Sequence, residues 1–533
     1  MPNLIWKGKK GLINLSSLNS NYKDSFREIK SHNSATLDRY NHNFKERNDR
    51  LTWNNLLICG ENEQIMRILL KDFSSKINLI YIDPPFATGG NFSYKIYFGG
   101  NSFNESTKAY SDTWREGLES YLNFLYVRLN LMKQLLSESG SIYVHLDWHV
   151  SHYIKIILDE IFGNENFRNE IIWSYPAASA QTRRFFIRSY DTVLFYTKSE
   201  DYIFNDDPNI YMEYSDRVKN ALKKDEKGLF YYRGGSHDGK KLSRKVYVKE
   251  DGIFPRDVWN DIPYVRANTT EYQGFSTQKP ERLLKRIILS SSNENGLVAD
   301  FFCGTGTTLI VAEKLGRRWI GCDLANHAIH ITRKRLLDIS KSNDLFSWNR
   351  NYDKSYQPFE LIYLNNEDPN NFLPRNFLKN EFKTNSKIKQ APSFDIDISI
   401  DHKKVSIKLK NYHLPYLELL SKRIKEKITS FHDLIDYWAV DFNHNDNSFK
   451  NDWYSYKTPK NREINLVTTP YSYENSTKYQ IQVKVINIFG QESIQKYCWD
   501  ERDGFYYSVD LNLMPYKYKP FSGDPKIMIH SGY

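Results

Sequence analysis

A carboxylate, two prolines and an aromatic ring stand together at Asp83-Pro84-Pro85-Phe86, directly after the apolar run 77–82. The run has the length and composition of a buried parallel strand, and two prolines cannot continue a sheet ladder. The Asp83 carboxylate and the Pro84 carbonyl are therefore expected at the carboxyl end of a strand, where open α/β sheets place their chemistry. Two acceptors beside a ring suit a flat heterocycle with an exocyclic amine. For this motif alone, a strand-ending turn with a capping Asp is the alternative.

A glycine loop lies far downstream, between two further apolar runs. The segment Cys303-Gly304-Thr305-Gly306-Thr307-Thr308 follows the run 297–302, and the next run ends in Asp323. Glycines let the backbone approach a ligand closely, and an acid about 20 residues on can hold ribose hydroxyls. Asp323 comes 19 positions after Gly304, which fits this spacing. Thr307 and Thr308 replace the third glycine of the dinucleotide fingerprint, which favours a nucleoside ligand without phosphates. A plain tight turn is the alternative for the glycines alone.

A helix is predicted to begin near Pro280, within Thr277-Gln278-Lys279-Pro280. Leucines and isoleucines at 283, 284, 287 and 288 form its apolar stripe, and Glu281, Arg282, Lys285 and Arg286 are predicted to face water. Lys279 stands at the mouth of this helix, where the helix amino terminus adds positive potential. Lys279 is therefore a candidate to bind the carboxylate of a cofactor.

Taken together, these motifs resemble the β class of amino-methylating DNA methyltransferases. In that family an Asp-Pro-Pro-Tyr/Phe catalytic motif comes first, a target-recognition segment second and the S-adenosylmethionine motif last, as in this chain. The resemblance runs from about residue 56 to about residue 337 and matches Asp83, Pro84, Pro85 and Phe86 to the catalytic motif. Modification subunits of restriction-modification systems, especially the type III kind, carry the same pattern.

The resemblance implies S-adenosylmethionine as the methyl donor. It assigns cofactor binding to the glycine loop, to the ribose acid, to the lysine at the helix mouth, and to Glu61, which stands where the family carries Asp. The residues assigned in this way are Glu61, Lys279, Asp300, Phe302, Gly304, Thr305, Gly306, Thr307 and Asp323.

The implied reaction is methylation of the N6 amine of adenine in duplex DNA. Hydrogen bonds to the Asp83 carboxylate and the Pro84 carbonyl would make the amine more nucleophilic and stabilise its developing positive charge. The base must leave the helix to be reached, and Phe86 would stack on it. Asp at the first motif position favours adenine, whereas cytosine-N4 enzymes of the family usually carry Ser. A cytosine-N4 enzyme and a catalytically silent DNA-recognition subunit are the alternatives.

Composition supports a polyanionic partner. The chain has 533 residues, a net charge of +10 and a pI near 9.0. Residues 1–50 carry 10 Lys or Arg against five Asp or Glu, and residues 216–266 carry 13 against eight. The second stretch interleaves tyrosines with basic residues at the place where the family keeps its target-recognition region. Four scattered cysteines show no metal or disulfide spacing, so neither a metal site nor an oxidising compartment is expected.

The partners expected are double-stranded DNA, a second copy of the chain, and a separate restriction subunit or endonuclease. No Gly-x4-Gly-Lys-Ser/Thr phosphate loop is present, so ATP-driven restriction would need another subunit. No apolar run reaches the roughly 18 residues of a membrane span, and the beginning of the chain lacks a signal-peptide core. A cytoplasmic location without membrane association is therefore expected.

The predicted fold class is α/β: a Rossmann-like methyltransferase domain with an inserted target-recognition region and a C-terminal, mostly β module. Period-two alternation of apolar residues after about residue 393 predicts the strands of that module, and a helix is predicted over Leu417–His432. The predicted segments are a basic arm (1–50), a catalytic half (51–200), a target-recognition insertion (201–275), a cofactor half (276–340), a linker (341–392) and the C-terminal module with its tail (393–533).

Overall fold

The computed structural model describes most of the chain between residues 53 and 510. The described residues are 4–6, 9, 31–32, 53–98, 104–112, 114, 117–176, 184, 186–237, 240–275, 277–364, 391–401, 403–444, 448–459, 461–473, 478–500 and 506–510. Most of the predicted basic arm, the second half of the predicted linker and the tail after residue 510 lie outside the described residues.

The chain divides into two compact units. The first unit comprises residues 1–25, 43–92 and 108–357, and the second comprises 26–42, 93–107 and 358–533. The segment boundaries drawn from the sequence are finer than this division and stay predictions.

The strands and helices alternate along most of the first unit, as in a βα fold. Its strands are β2 (Asn55–Cys59), β3 (Ile77–Ile82), β6 (Leu136–Leu146), β7 (Phe167–Ser174), β8 (Tyr190–Thr197), β9 (Lys223–Asp225), β10 (Gly228–His237), β11 (Lys240–Tyr247), β12 (Val258–Trp259), β13 (Leu297–Asp300) and β14 (Arg318–Asp323). Its helices are α1 (Asn62–Phe73), α2 (Leu118–Leu135), α3 (Ser151–Phe162), α4 (Asp216–Lys219), α5 (Glu281–Ser291), α6 (Thr307–Lys314) and α7 (Asn326–Leu337).

A twisted sheet forms the core of the first unit, with strand order β12-β7-β8-β6-β3-β13-β14-β2. The five strands from β6 to β2 run parallel, and β8 lies antiparallel between β6 and β7. Strand β3 is almost wholly apolar. It is buried because helices such as α2 and α5 pack against this sheet. Since β3, β13 and β14 are parallel neighbours, Asp83, the glycine loop and Asp323 all follow strand ends at one edge of the sheet. The predicted Rossmann-like α/β fold is confirmed.

The inserted region contains a small antiparallel sheet of its own, in the order β11-β10-β9. Strands β10 and β11 form a long hairpin in which Arg233 pairs with Arg244 and Tyr232 pairs with Lys245. Both arginines and Tyr232 are exposed. The hairpin therefore presents a basic and aromatic surface.

The second unit is mostly β, as the alternation of apolar residues predicts. Strands β4 (Asn91–Tyr97) and β5 (Asn104–Ser111) pair with each other, and each has residues in both units. The other strands are β1 (Ser31–His32), β15 (Phe359–Tyr363), β16 (Ser393–Asp401), β17 (Lys404–His413), β18 (Ile435–Asp441), β19 (Ser448–Phe449), β20 (Trp453–Tyr456), β21 (Tyr471–Ser472), β22 (Lys478–Asn487), β23 (Glu492–Asp500) and β24 (Tyr506–Asp510). Five of them form the sheet β20-β18-β22-β23-β24, and three form the sheet β16-β17-β21.

The helix predicted over Leu417–His432 is wrong. The segment forms a 3-10 turn at Leu417–Leu419, one helical turn, α8, at Lys422–Lys425, and a second 3-10 turn at Phe431–Leu434. The break has a local cause, because the Asp433 carboxylate accepts hydrogen bonds from the backbone and hydroxyl groups of Thr429 and Ser430. These bonds start a new turn where the helix would have continued.

Candidate active site

The catalytic motif begins where β3 ends, and Asp83 is the first residue beyond the strand. Its Oδ2 accepts a hydrogen bond from Lys279 Nζ at 2.5 Å. The side chains of this pair are only 18% and 11% exposed. The other oxygen, Oδ1, is buried and has no hydrogen-bond partner among the described residues. A buried acceptor without a donor is costly in general, so Asp83 Oδ1 marks a place where a ligand can donate.

The loop that follows the motif is held by Asp112, which the sequence analysis missed. Asp112 Oδ1 accepts from Ala87 N at 2.9 Å and from Trp114 Nε1 at 3.1 Å. Its Oδ2 accepts from Thr88 N at 2.7 Å and Thr88 Oγ1 at 2.8 Å. Ala87 adopts a positive φ of 55°, which is unfavourable for a residue with a Cβ. Asp112 therefore fixes a strained turn directly behind Phe86.

A buried polar chain lies beneath Phe86. The imidazole of His145 stacks on the Phe86 ring with a centroid distance of 6.2 Å and an interplanar angle of 18°. His145 Nδ1 is 2.8 Å from the Tyr81 hydroxyl, and Nε2 is 3.1 Å from Asp191 Oδ2. Tyr175 donates to the other oxygen of Asp191 at 2.9 Å. Since both ring nitrogens are bound, the ring plane under Phe86 is fixed.

The pKa of Asp191 agrees with this arrangement. Burial alone would raise the pKa of Asp191, but the hydrogen bond and charge of His145 outweigh burial and hold it below the ordinary Asp value. The sequence offered no sign of this network, because its members come from four different strands or loops.

The glycine loop connects β13 to α6 with two residues in the left-handed region. Gly304 has φ +52°, and within the described residues no atom beyond its two chain neighbours lies within 4 Å of the point where a Cβ would project. Gly306 has φ +76°, and there a Cβ would lie 2.4 Å from Thr332 Cγ2. Gly304 thus exposes backbone to an open space, whereas Gly306 is needed for close packing against α7.

Asp323 lies at the end of β14 and faces the same loop. Its Oδ2 accepts from Gly304 N at 2.8 Å and its Oδ1 from Ala325 N at 2.9 Å. Burial raises the pKa of Asp323 above the ordinary Asp value. Each carboxylate oxygen can accept a second hydrogen bond, so Asp323 can still receive ribose hydroxyl groups.

Asp300, the last residue of β13, is used to shape the loop. Its Oδ1 accepts from Phe302 N at 3.0 Å and its Oδ2 from Thr308 Oγ1 at 2.5 Å. Burial raises the pKa of Asp300 to about 7. Phe302 itself is only partly buried, and its ring packs edge-on against Phe124.

Thr305 and Thr307 are turned towards the interior. Arg335 Nη1 donates to the Thr305 carbonyl at 2.8 Å and to Thr307 Oγ1 at 3.1 Å. The same arginine pairs with Glu281 at 2.9 Å, and Lys314 pairs with the other oxygen of Glu281 at 2.6 Å. This buried cluster ties the glycine loop to the beginning of α5.

The solvent-facing position predicted for Glu281 and Arg286 is therefore wrong. Glu281 is 3% exposed and Arg286 is 6% exposed. Glu281 meets two cations from distant parts of the chain, and Arg286 forms a two-pronged ion pair with Asp261. Glu271 also joins the cluster, where burial and the nearby charge of Glu281 raise the pKa of Glu271 to about 8.

Both carboxylate oxygens of Glu61 bind other residues of the first unit. It caps the amino terminus of α1 by accepting from Gln64 N at 3.0 Å, and its other oxygen forms an ion pair with Arg128. Arg128 also donates to Asn62 Oδ1 at 2.7 Å, and Asn62 donates to the Phe301 carbonyl at 2.9 Å. Glu61 thus lies beside the glycine loop, joined to it through Asn62.

The predicted site residues are brought together at one sheet edge, but Lys279 lies differently from the expectation. It was expected to bind a cofactor carboxylate, and the structure places its ammonium on Asp83 and 5.4 Å from the Phe86 ring centroid. The residues fit S-adenosylmethionine, because Gly304 offers open backbone beside Asp323, which keeps acceptor capacity for the ribose. Among the described residues, no group of His, Cys, Asp and Glu has the arrangement of a metal site. Within those same residues, no helix combines the length and apolar character needed to cross a bilayer.

Comparison with known proteins identifies the first unit. A family model described as DNA methylase, of the N6/N4 type, matches residues 77–334. The type II methyltransferase M.EcaI of Enterobacter cloacae is 31% identical over 324 residues, which cover 53% of this chain and 69% of that protein. The DNA adenine methyltransferase YhdJ of Escherichia coli K12 is 30% identical over 264 residues, covering 49% of this chain and 77% of YhdJ.

More distant similarities extend the picture. The Mod subunit of the type III restriction-modification enzyme StyLTI of Salmonella typhimurium is 24% identical over 318 residues, which cover 48% of this chain and 49% of that subunit. The crystal structure of M1.HpyAVI with SAM overlaps 53% of this chain and 98% of that chain, with 16% identity and a TM-score of 0.34. The family model and the relatives M.EcaI and YhdJ, which are 31% and 30% identical, show that the chain belongs to the N6/N4 family of DNA methylases, with S-adenosylmethionine as its methyl donor.

Proposed function

We propose that the chain methylates the N6 amine of adenine in duplex DNA, with Asp83 to Phe86 as the catalytic motif. The observation that carries the proposal is the buried Oδ1 of Asp83 just after β3, which has no hydrogen-bond partner within the part of the chain that the structure describes. An exocyclic amine can donate one hydrogen to this oxygen and the other to the Pro84 carbonyl. When bound, S-adenosylmethionine would supply the electrophilic methyl group: the amine nitrogen forms the N–C bond as the S–C bond of the donor breaks, S-adenosylhomocysteine leaves, and the methylated nitrogen releases one proton to solvent.

The residues of the chain position and polarise the amine. The lone pair of the amine is delocalised into the base, and two acceptors favour a more pyramidal nitrogen with greater nucleophilicity. The negative charge of Asp83 also stabilises the positive charge that develops on the nitrogen. Phe86, held by His145 beneath it, offers one face for the base to stack on, a contact worth roughly 1–3 kcal/mol.

The target amine is paired inside duplex DNA, so the base must rotate out of the helix to reach Asp83. The basic and aromatic hairpin β10–β11 supports contact with DNA, because Arg233, Arg244 and Tyr232 are all exposed on it. Basic residues bind phosphates without reading sequence, so the hairpin accounts for affinity before specificity.

The cofactor half of the site supplies shape and ribose recognition. Gly304, Thr305 and Gly306 would lie along the cofactor, and Asp323 would accept from its ribose hydroxyls. The positive φ of Gly304 and the space in front of it support this assignment. Asp300, Thr307 and Phe302 would maintain the loop, and Glu61 would line its far side.

A restriction partner is part of the proposal. The similarity to the StyLTI Mod subunit supports a separate restriction subunit or endonuclease, although the chain spans only about half of that subunit. A homodimer and a cytoplasmic location stay predictions.

The proposal is tested by transfer of labelled methyl groups from S-adenosylmethionine to unmethylated duplex DNA, followed by nucleoside chromatography. Label in N6-methyladenine is expected. Label in N4-methylcytosine would overturn the choice of base while keeping the family. Cofactor binding without any transfer to genomic DNA of mixed sequence would contradict the catalytic role.

A further inference from the structure

We infer that Lys279 is a positioning residue that acts through Asp83: its ammonium occupies one oxygen of the carboxylate and stabilises the negative charge there, leaving the other oxygen for the target amine. The inference rests on the proposed function and assigns Lys279 a task different from binding a cofactor carboxylate.

The geometry divides the Asp83 carboxylate between two partners. Lys279 Nζ lies 2.5 Å from Oδ2, while Oδ1 is buried and unpartnered among the described residues. An incoming amine therefore meets Oδ1 and does not have to displace the lysine. Lys279 Nζ also lies 5.4 Å from the centroid of the Phe86 ring, within the range of a cation–π contact. One ammonium group thus contacts both ends of the catalytic motif.

Two further features hold the lysine in this place. Only 11% of its side chain is exposed, so the ion pair is largely shielded from water. Pro280, the residue after Lys279, is the N-cap of α5. Glu281, the first residue of α5, is buried and forms ion pairs with Lys314 and Arg335. The backbone that carries Lys279 is therefore anchored to the glycine-loop side of the first unit.

The surroundings of Asp83 are acidic, so the ionised carboxylate needs a nearby cation. Asp300 is the last residue of the neighbouring strand β13. Burial is the main cause that raises the pKa of Asp300, and the negative charge of Asp83 is one of the smaller causes. Burial, with the charges of Asp83, Asp300 and Asp191, raises the pKa of Tyr81 well above its ordinary value. The titratable groups that interact with Asp83 itself are Tyr81, Tyr121, Lys279 and Asp300. Members of this set interact in turn with Asp112, His145, Asp147, Asp191 and Asp323.

The direction of the effect follows from which form of Asp83 reacts. The ionised carboxylate is the stronger acceptor and the form that stabilises positive charge on the amine. Without the ammonium, a partly buried carboxylate among other acids takes up a proton more readily. Methylation would then be lost at mildly acidic pH and recovered as the pH rises.

The test compares Lys279→Met with the wild-type chain in pH profiles of the methylation rate, at saturating S-adenosylmethionine and unmethylated duplex DNA. We expect the acidic limb of the profile to move to higher pH by about 1–3 units, as for an Asp that loses a paired cation. At a pH below the shifted limb the variant should be at least about tenfold slower than the wild type, and the deficit should shrink as the pH rises through the limb. Lys279→Arg retains the charge and should keep the limb within about half a unit of its wild-type position.

Calorimetric titration with S-adenosylhomocysteine provides a second readout and shows that the variant is folded. Its affinity for Lys279→Met should stay within about threefold of the wild type, because the ammonium lies on Asp83. Lys285→Met is the matched control, since Lys285 lies on α5, which begins just after Lys279, and donates to the Leu345 carbonyl at 3.0 Å, away from Asp83.

The outcomes separate the inference from the proposed function. An unshifted pH profile in Lys279→Met would overturn the inference, as would a variant whose only defect is weak S-adenosylhomocysteine binding. Failure of the wild-type chain to produce N6-methyladenine would instead overturn the proposed function.

Discussion

Asp83 and Asp300 stand at the ends of neighbouring parallel strands, β3 and β13, and their carboxylates are used in opposite ways. Both oxygens of Asp300 bind groups of its own loop, Phe302 N and Thr308 Oγ1. Asp83 binds Lys279 through one oxygen, and its other oxygen is buried with no partner in the described segments of the chain. At the cofactor end the acids are satisfied by the protein and set its shape, whereas at the catalytic end an acceptor is kept for a ligand.

This difference has an energetic meaning. Leaving a buried acceptor unpaired costs about 1–3 kcal/mol, and a hydrogen bond donated by a ligand would remove that cost at Asp83. The cofactor end instead resembles a preorganised binding site, in which Gly304 and Asp323 already have the geometry they need. Substitutions at the two ends should therefore separate turnover from cofactor affinity.

The largest effect is expected for Asp83→Ala. Removing the carboxylate takes away both the acceptor and the charge that stabilises the developing cation, so the methylation rate should fall by about 10²–10³-fold or more. Cofactor affinity, measured by calorimetry with S-adenosylhomocysteine, should change by less than about threefold. Asp83→Asn is the matched variant of equal size, and it should be nearly as slow because it lacks the charge. An active Asp83→Ala enzyme would remove this residue from the catalytic motif.

A smaller effect, of a different kind, is expected for Asp323→Ala. Loss of hydrogen bonds from ribose hydroxyls to a charged acceptor should weaken cofactor affinity about 10- to 100-fold. The rate at saturating cofactor should stay within a few-fold of the wild type, which is the reverse of the result for Asp83. Asp344→Ala is a suitable control, since Asp344 also accepts backbone N–H groups but in an exposed turn. Equal cofactor affinity in Asp323→Ala would contradict the comparison.

Much of this comparison could be predicted from the sequence. The strands 77–82 and 318–323 form with the predicted limits, and the α/β fold follows from the alternation of strands and helices. Short apolar runs that end in Pro, Gly or Asp are strong local signals, because they combine burial with a compulsory stop. The relative order of the strands also brings the catalytic motif and the glycine loop to one edge, as the resemblance implied.

The parts that could not be predicted depend on contacts between distant residues. Glu281 has the pattern of a solvent-facing residue, but Lys314 and Arg335, which lie 33 and 54 positions away, meet it in the interior. His145 and Asp112 carry no motif at all, and their importance comes from what lies opposite them on other strands and loops. The position of Lys279 at the helix mouth predicts that it belongs to the site, but only the structure shows that its partner is Asp83.

The smallest of the three effects is expected at Asp112, which connects the shape of the catalytic end to its chemistry. The Asp112 carboxylate accepts four hydrogen bonds from described residues: from Ala87 N, from the backbone N and the hydroxyl of Thr88, and from Trp114 Nε1. In Asp112→Asn one oxygen becomes an NH₂ group, which faces donors and cannot accept from them. The strained φ of +55° at Ala87 would then relax, and Phe86 would lose its support from the following turn.

We expect Asp112→Asn to lower the methylation rate about tenfold, since a displacement of about 1 Å at a reacting group can cost up to about 10²-fold. Cofactor affinity should stay close to the wild-type value, because the hydrogen bonds that shape the glycine loop come from Asp300, Asp323 and Arg335. Rates and calorimetric titration on the same preparation separate the two. If cofactor affinity fell while the rate at saturation held, Asp112 would belong to the preorganised end of the site, and the division between a satisfied cofactor end and an unsatisfied catalytic end would have to be redrawn.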